Sequence, residues 1–196
     1  MKGMNLAVNA KKSSFRIVAL GAIVALLMAG SGAKGYAVGS SAANSSPRQV
    51  AIIAPWTAVG STGAVDEMSL GIFGTSGPNL GFRGGQGAQI VARYNVTNTY
   101  DNNGIPTMPG WKTLELGSTT PGNSSVIARL WQVDPCTGQQ VQLCQATNNT
   151  DNAIPHCVTC TFAAQIDFAL FVYYVEVDIQ RANGMAQPSV FSLRVY

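Results

Sequence analysis

The stretch Phe168 to Arg181 limits what this chain can fold into more than any other. Its odd positions Phe171, Tyr173, Val175, Val177 and Ile179 are apolar, and its even positions Tyr174, Glu176, Asp178 and Gln180 carry polar atoms. Successive side chains of a strand point to opposite faces, so this alternation describes a strand covering a core on one side and meeting water on the other. A helix would scatter both sets around its axis. Ala182-Asn183-Gly184 supplies a turn, and a last strand is expected from Val190 to Tyr196, with Phe191, Leu193 and Val195 on one side.

The same period recurs upstream. In Ala88 to Thr97, Ala88, Ile90, Ala92, Tyr94 and Val96 share a face opposite Gln89, Arg93, Asn95 and Thr97, with Val91 on that second face as well. Trp111 to Leu116, Val126 to Val133 and Val141 to Gln145 read as further strands, and Asp134-Pro135-Cys136-Thr137-Gly138 as the hairpin turn between the last two. Weaker strand signals lie at Gln49 to Ala54, Met68 to Phe73 and Leu80 to Phe82. No apolar i, i+3, i+4, i+7 run with caps follows residue 37. Eight or nine short strands, each with one polar face, predict an all-β chain folded as an antiparallel β-sandwich over residues 48–196, with a small antiparallel barrel as the alternative.

The N-terminus reads as an export signal. Lys2, Lys11, Lys12 and Arg16 precede an apolar run from Ile17 to Met28, and small residues follow up to Gly35-Tyr36-Ala37. That order of basic, apolar and small segments is a secretory signal peptide over 1–37, cut after Ala37 or, as second choice, after Ala33. The run is short of the ~20 residues needed to cross a bilayer, so no stable membrane span is expected after cleavage. Residues 38–47 are Ser/Ala-rich and are read as a flexible leader to the domain.

Cleavage reverses the charge. Five of the 12 basic residues and none of the 9 acids lie within residues 1–37, which leaves seven bases against nine acids, a formal charge of −2. The seven stand singly, whereas a nucleic-acid partner needs clustered Lys and Arg to release counterions. Nucleic-acid binding is therefore not expected.

Cys136, Cys144, Cys157 and Cys160 sit close together in a chain bound for an oxidising compartment, so two disulfides are expected. Spacing favours Cys136 with Cys144 across the hairpin turn and Cys157 with Cys160, although four cysteines allow three connectivities. A redox role for the Cys157-Val158-Thr159-Cys160 motif would need a helix N-terminus, and no helix pattern follows it. A zinc site would take Cys157 and Cys160 as one knuckle with His156 or the other two cysteines, but the seven residues between Cys136 and Cys144 are poor ligand spacing.

Catalytic groups are sparse. His156 is the sole histidine, and no Gly-x-Ser-x-Gly elbow occurs. Asp66 and Glu67 are adjacent and are placed at the end of a loop before a strand. Glu176 and Asp178 point the same way ~6.5–7 Å apart, near the lower bound for an inverting glycosidase pair, although a solvated strand face explains them equally. Asp101-Asn102-Asn103-Gly104 and Asn148 to Asn152 are oxygen-rich loops that read as turns before they read as calcium sites. Asn44, Asn95, Asn123 and Asn148 match the N-glycosylation acceptor pattern. No metal and no cofactor is expected.

The segments Trp56 to Glu67, Ala92-Arg93-Tyr94-Asn95-Val96 and Tyr173-Tyr174-Val175-Glu176-Val177 resemble small exported bacterial proteins of uncharacterised role and β-sandwich fold. That resemblance implies export and a β fold, and no chemistry. The sequence thus points to a secreted, non-catalytic sandwich with a structural, surface-associated or ligand-binding role. The face Tyr174, Glu176, Asp178 and Gln180 is the candidate binding surface. The alternative is a secreted hydrolase acting on carbohydrate through Glu176 and Asp178. Partners in view are a second copy, paired through Val190 to Tyr196 as an edge strand, or a carbohydrate stacked on Trp111 or Trp131.

Overall fold

The computed structural model describes residues 54–85, 87–99 and 108–196. The expected leader, the 38–47 linker, all but the last residue of the Gln49–Ala54 strand and the Asp101–Gly104 loop lie outside the described residues.

Two antiparallel sheets face each other. The first runs β3 (Phe73–Ser76), β4 (Asn79–Phe82), β11 (Ser189–Val195), β6 (Thr113–Thr119) and β9 (His156–Thr161), with β1 (Trp56–Val59) also paired to β11. The second runs β2 (Ala64–Val65), β5 (Gln89–Val96), β10 (Val172–Gln180), β7 (Ser125–Val133) and β8 (Gln140–Asn148). Each sheet keeps its own two edges, so the architecture is the sandwich and not the barrel.

Alternation explains the core. Tyr173, Val175, Val177 and Ile179 of β10 are buried between Ile90, Ala92, Tyr94 and Val96 of β5 and Val126, Ala128 and Leu130 of β7. Leu114 and Leu116 of β6 and Leu193 and Val195 of β11 close the core from the other sheet. Each fully buried Val, Leu or Ile contributes roughly 1.5–3 kcal/mol through loss of apolar surface from water.

Several sequence expectations are corrected. The strand expected from Phe168 begins at Val172, because Asp167 folds the chain first. Asp167 Oδ1 accepts the Ala169 N–H and its carbonyl accepts the Phe171 N–H, while Phe168 packs edge-on against Trp111 and Tyr173. Met68 to Phe73 is a strand only at Phe73. Asp66 caps a 3-10 turn over Glu67–Ser69 by accepting the Met68 N–H, a local bond that competes with strand pairing. β9, which is not among the strands expected from sequence, pairs with β6 over its whole length while sending only Val158 and Cys160 toward the core. Finally, β11 is no edge. β6 flanks one side, and β4 and β1 share the other. A register shift between Val190 and Ser192 puts Val190 in the core with Leu193 and Val195 and leaves Phe191 half-buried.

The disulfide pairing also differs. Cys144 bonds Cys160, joining β8 and β9, the edge strands on one side of the two sheets, while Cys136 and Cys157 are exposed thiols. Extended geometry explains this. Cys157 and Cys160 are three residues apart in β9 and point to opposite faces, ~10 Å apart along the strand, beyond disulfide reach. Cys136 lies in the turn past the Val133–Gln140 rung, whereas Cys144 faces Leu130 several rungs along the hairpin. Because Cys160 is bonded to Cys144, the C-x-x-C motif is neither a redox couple nor a metal knuckle.

Candidate functional site

The even positions of β10 all emerge on the outer face of the second sheet, and the strand register extends them into rows. Tyr174 stands beside Asn95 on β5 and Trp131 on β7, with Gln142 of β8 next to Trp131. Glu176 stands between Arg93 and Arg129, with Gln145 beyond. Asp178 stands between Val91 and Ile127, and Gln180 between Gln89 and Ser125. Opposite-charge cross-strand neighbours of this kind each contribute a few tenths of a kcal/mol to sheet pairing.

The aromatic row is ordered by contact. Trp131 and Tyr174 stack with centroids 6.3 Å apart and planes 14° from parallel, and the Tyr174 hydroxyl donates to Gln140 Oε1 at 2.7 Å. Partial burial, and then the negative charge of Glu176, hold the Tyr174 hydroxyl above its ordinary pKa. The Trp131 Nε1–H has no acceptor among the described residues.

The charged row is a chain of ion pairs. Arg93 reaches Asp66 Oδ2 at 3.0 Å through Nη1, and Glu176 Oε2 at 3.0 Å through Nη2. Arg129 Nη1 lies 3.7 Å from Glu176 Oε1 and 4.0 Å from Asp178 Oδ2, and its Nε donates to Gln145 Oε1. The Asp66 carboxyl is held below its ordinary pKa, first by the Met68 backbone N–H and then by Arg93. A hollow of about 390 Å³ opens among these groups, walled on one side by the turn that carries Met68 and Ser69. The attacking water of an inverting glycosidase sits between its two carboxylates. Here the Arg129 guanidinium lies against both Glu176 and Asp178, so the pair has the geometry of a charge network.

The four face residues expected from sequence therefore lie together. Arg93, Arg129, Trp131 and Asp66 complete the site. Each occupies a polar-face position of its own segment, but only strand register could reveal them as neighbours. Trp111 is buried in the core, so of the two tryptophans considered for stacking only Trp131 reaches this face. His156 is exposed at the start of β9 opposite Ser118. The Asn148–Asn152 loop spends its oxygens internally. Asn148 Oδ1 accepts from Thr120 and Thr150, Asp151 Oδ1 accepts the Asn123 N–H, and Asn152 Oδ1 accepts the Ile154 N–H. Asn148 is itself buried, which removes it as a glycan acceptor.

No family model matches this sequence, and no curated protein is similar to it. Among solved structures, the CBM36-1 domain of a multidomain xylanase from the hindgut metagenome of Trinervitermes trinervoides aligns at 9% identity with a TM-score of 0.44, covering 73% of this chain and 97% of that one. A carbohydrate-binding module CBM36 in complex with calcium and xylotriose aligns at 9% identity and a TM-score of 0.39, covering 72% of this chain and 99% of the module. A family two carbohydrate esterase from Cellvibrio japonicus aligns at 15% identity and 0.39, covering 72% of this chain but only 33% of the esterase. At these scores the likeness is one of outline and carries no ligand or residue across.

Proposed function

We propose that this chain is a secreted, non-catalytic β-sandwich that binds carbohydrate on the outer face of its second sheet. The observation that carries the reading is the Trp131–Tyr174 stack standing one row from the Arg93–Glu176–Arg129 network on a continuous, half-exposed surface. Sugars present apolar ring faces and a rim of hydroxyls. Aromatic side chains meet the first, and fixed carboxylates, guanidiniums and amides meet the second. The disulfide and the basic-apolar-small leader support an extracellular setting.

The test is titration of the exported protein with a panel of soluble oligosaccharides, read by calorimetry and tryptophan fluorescence. Trp56 and Trp111 are buried, so ligand-induced quenching reports Trp131. At least one oligosaccharide is expected to bind, with Trp131→Ala weakening it about tenfold, or about 1.4 kcal/mol. A panel in which nothing binds, or a Trp131→Ala variant of undiminished affinity, would refute the reading.

A further inference from the structure

Asp178 is 5% exposed, yet its Oδ1 has no hydrogen-bond partner among the described residues. Its Oδ2 accepts from Gln180 Nε2 at 2.8 Å and stands 4.0 Å from Arg129 Nη1. Its row neighbours Val91 and Ile127 offer no side-chain donor. A buried carboxylate oxygen left without a donor is costly, and folded proteins rarely keep one unless something else satisfies it.

The surrounding charge says what that partner would be. The carboxylates of Asp66, Glu176 and Asp178 outnumber the guanidiniums of Arg93 and Arg129 along this network. Arg93 is engaged by Asp66 and Glu176 at 3.0 Å each, and Arg129 lies closer to Glu176 than to Asp178. The excess negative charge therefore collects at Asp178, which lines the hollow together with Ser69 and Gln89. An anion would be repelled there. A divalent metal would have to share the carboxylates with two guanidiniums already bound to them. A neutral hydroxyl would supply one donor and leave the charge unbalanced. A primary ammonium is compact, carries three donors and no acceptor, and balances the charge.

We propose that this hollow is a subsite for a primary ammonium group, with Asp178 as its counter-ion and Ser69 Oγ and Glu176 as further acceptors. The proposal rests on the outer face being a ligand-binding surface and adds the class of ligand: an amine-bearing one. Two sources share that chemistry, a free amino sugar within a glycan and the side chain of a lysine.

The deciding experiment is calorimetry on the exported protein with glucosamine oligomers, the same oligomers N-acetylated, and a short lysine peptide. Free-amine oligomers are expected to bind at least tenfold more tightly than their acetylated forms, and Asp178→Asn should abolish that difference. Raised salt should narrow it as well. Equal affinity for the two oligomers would overturn the subsite. Should Asp178→Asn fail to fold, competition by methylammonium on the unaltered protein decides. Displacement of the amine oligomer supports the subsite, and its absence refutes it. If acetylated and free oligomers bind equally through Trp131, the ammonium subsite falls and the carbohydrate reading stands. If the lysine peptide binds through Asp178 and no sugar binds, the reverse holds. If nothing binds, both fall.

Discussion

Reducing the Cys144–Cys160 bond tests how the two sheets are held together. The bridge spans a sequence separation of 16 residues with Cα atoms 5.9 Å apart, and it ties β8 of one sheet to β9 of the other. Closing a loop of that length in the unfolded chain removes conformational entropy worth about 3 kcal/mol at 25 °C. For a domain of this size each kcal/mol moves the melting temperature by about 2–4 °C, so reduction should lower it by about 6–12 °C. The assay is thermal melting by circular dichroism with and without a phosphine reductant. Reduction of the wild type isolates the cross-link, whereas Cys144→Ala also empties a buried position. Cys136→Ser and Cys157→Ser should leave the transition in place, because both thiols are exposed and outside the bridge. A reduced protein melting within about 2 °C of the oxidised one would show that the staple carries no stability. A non-reducing digest that links Cys136 to Cys144, or Cys157 to Cys160, would refute the pairing itself.

Two further outcomes follow from the core. Leu130 of β7 is fully buried opposite Cys144, so Leu130→Ala should cost roughly 2–5 kcal/mol in urea unfolding; a loss below about 1 kcal/mol would mean the sheets do not close over it. Burial pushes the Tyr94 hydroxyl well above the ordinary tyrosine value of 10.0, and that hydroxyl donates to the Gly60 carbonyl at 2.6 Å. Because the folded pKa is raised, the stability it lends is fully present below pH 10 and is lost as pH rises from there toward the folded value. Tyr94→Phe should cost about 1–3 kcal/mol at neutral pH by orphaning the carbonyl, and should flatten the alkaline fall in stability. An unchanged alkaline profile in that variant would refute the assignment.

What the alternation in β5, β7 and β10 made legible was the core. A residue's side of a strand depends on parity alone, so Ile90, Ala92, Tyr94, Val175, Val177 and Ile179 could be placed inside without knowing any partner strand. β9 escaped because it presents only two side chains to the core and draws its stability from pairing with β6, a contact between residues about forty positions apart. The turn at Glu67–Ser69 escaped because one carboxylate bonding a nearby N–H outweighed the β-rich composition around it.

The amino-acid order alone determined that this is a β protein with a polar face on β10, since composition and period are properties of the chain itself. Tertiary structure decided which residues meet across that face. Arg93, Arg129 and Trp131 become neighbours of Glu176 and Tyr174 through inter-strand register, set by where every strand can bury its apolar side at once. The same constraint buried the C-terminal strand between partners and chose Cys160, sixteen residues away, over the cysteine nearest Cys144 in sequence. Local spacing carries no information about distances fixed by the meeting of two sheets.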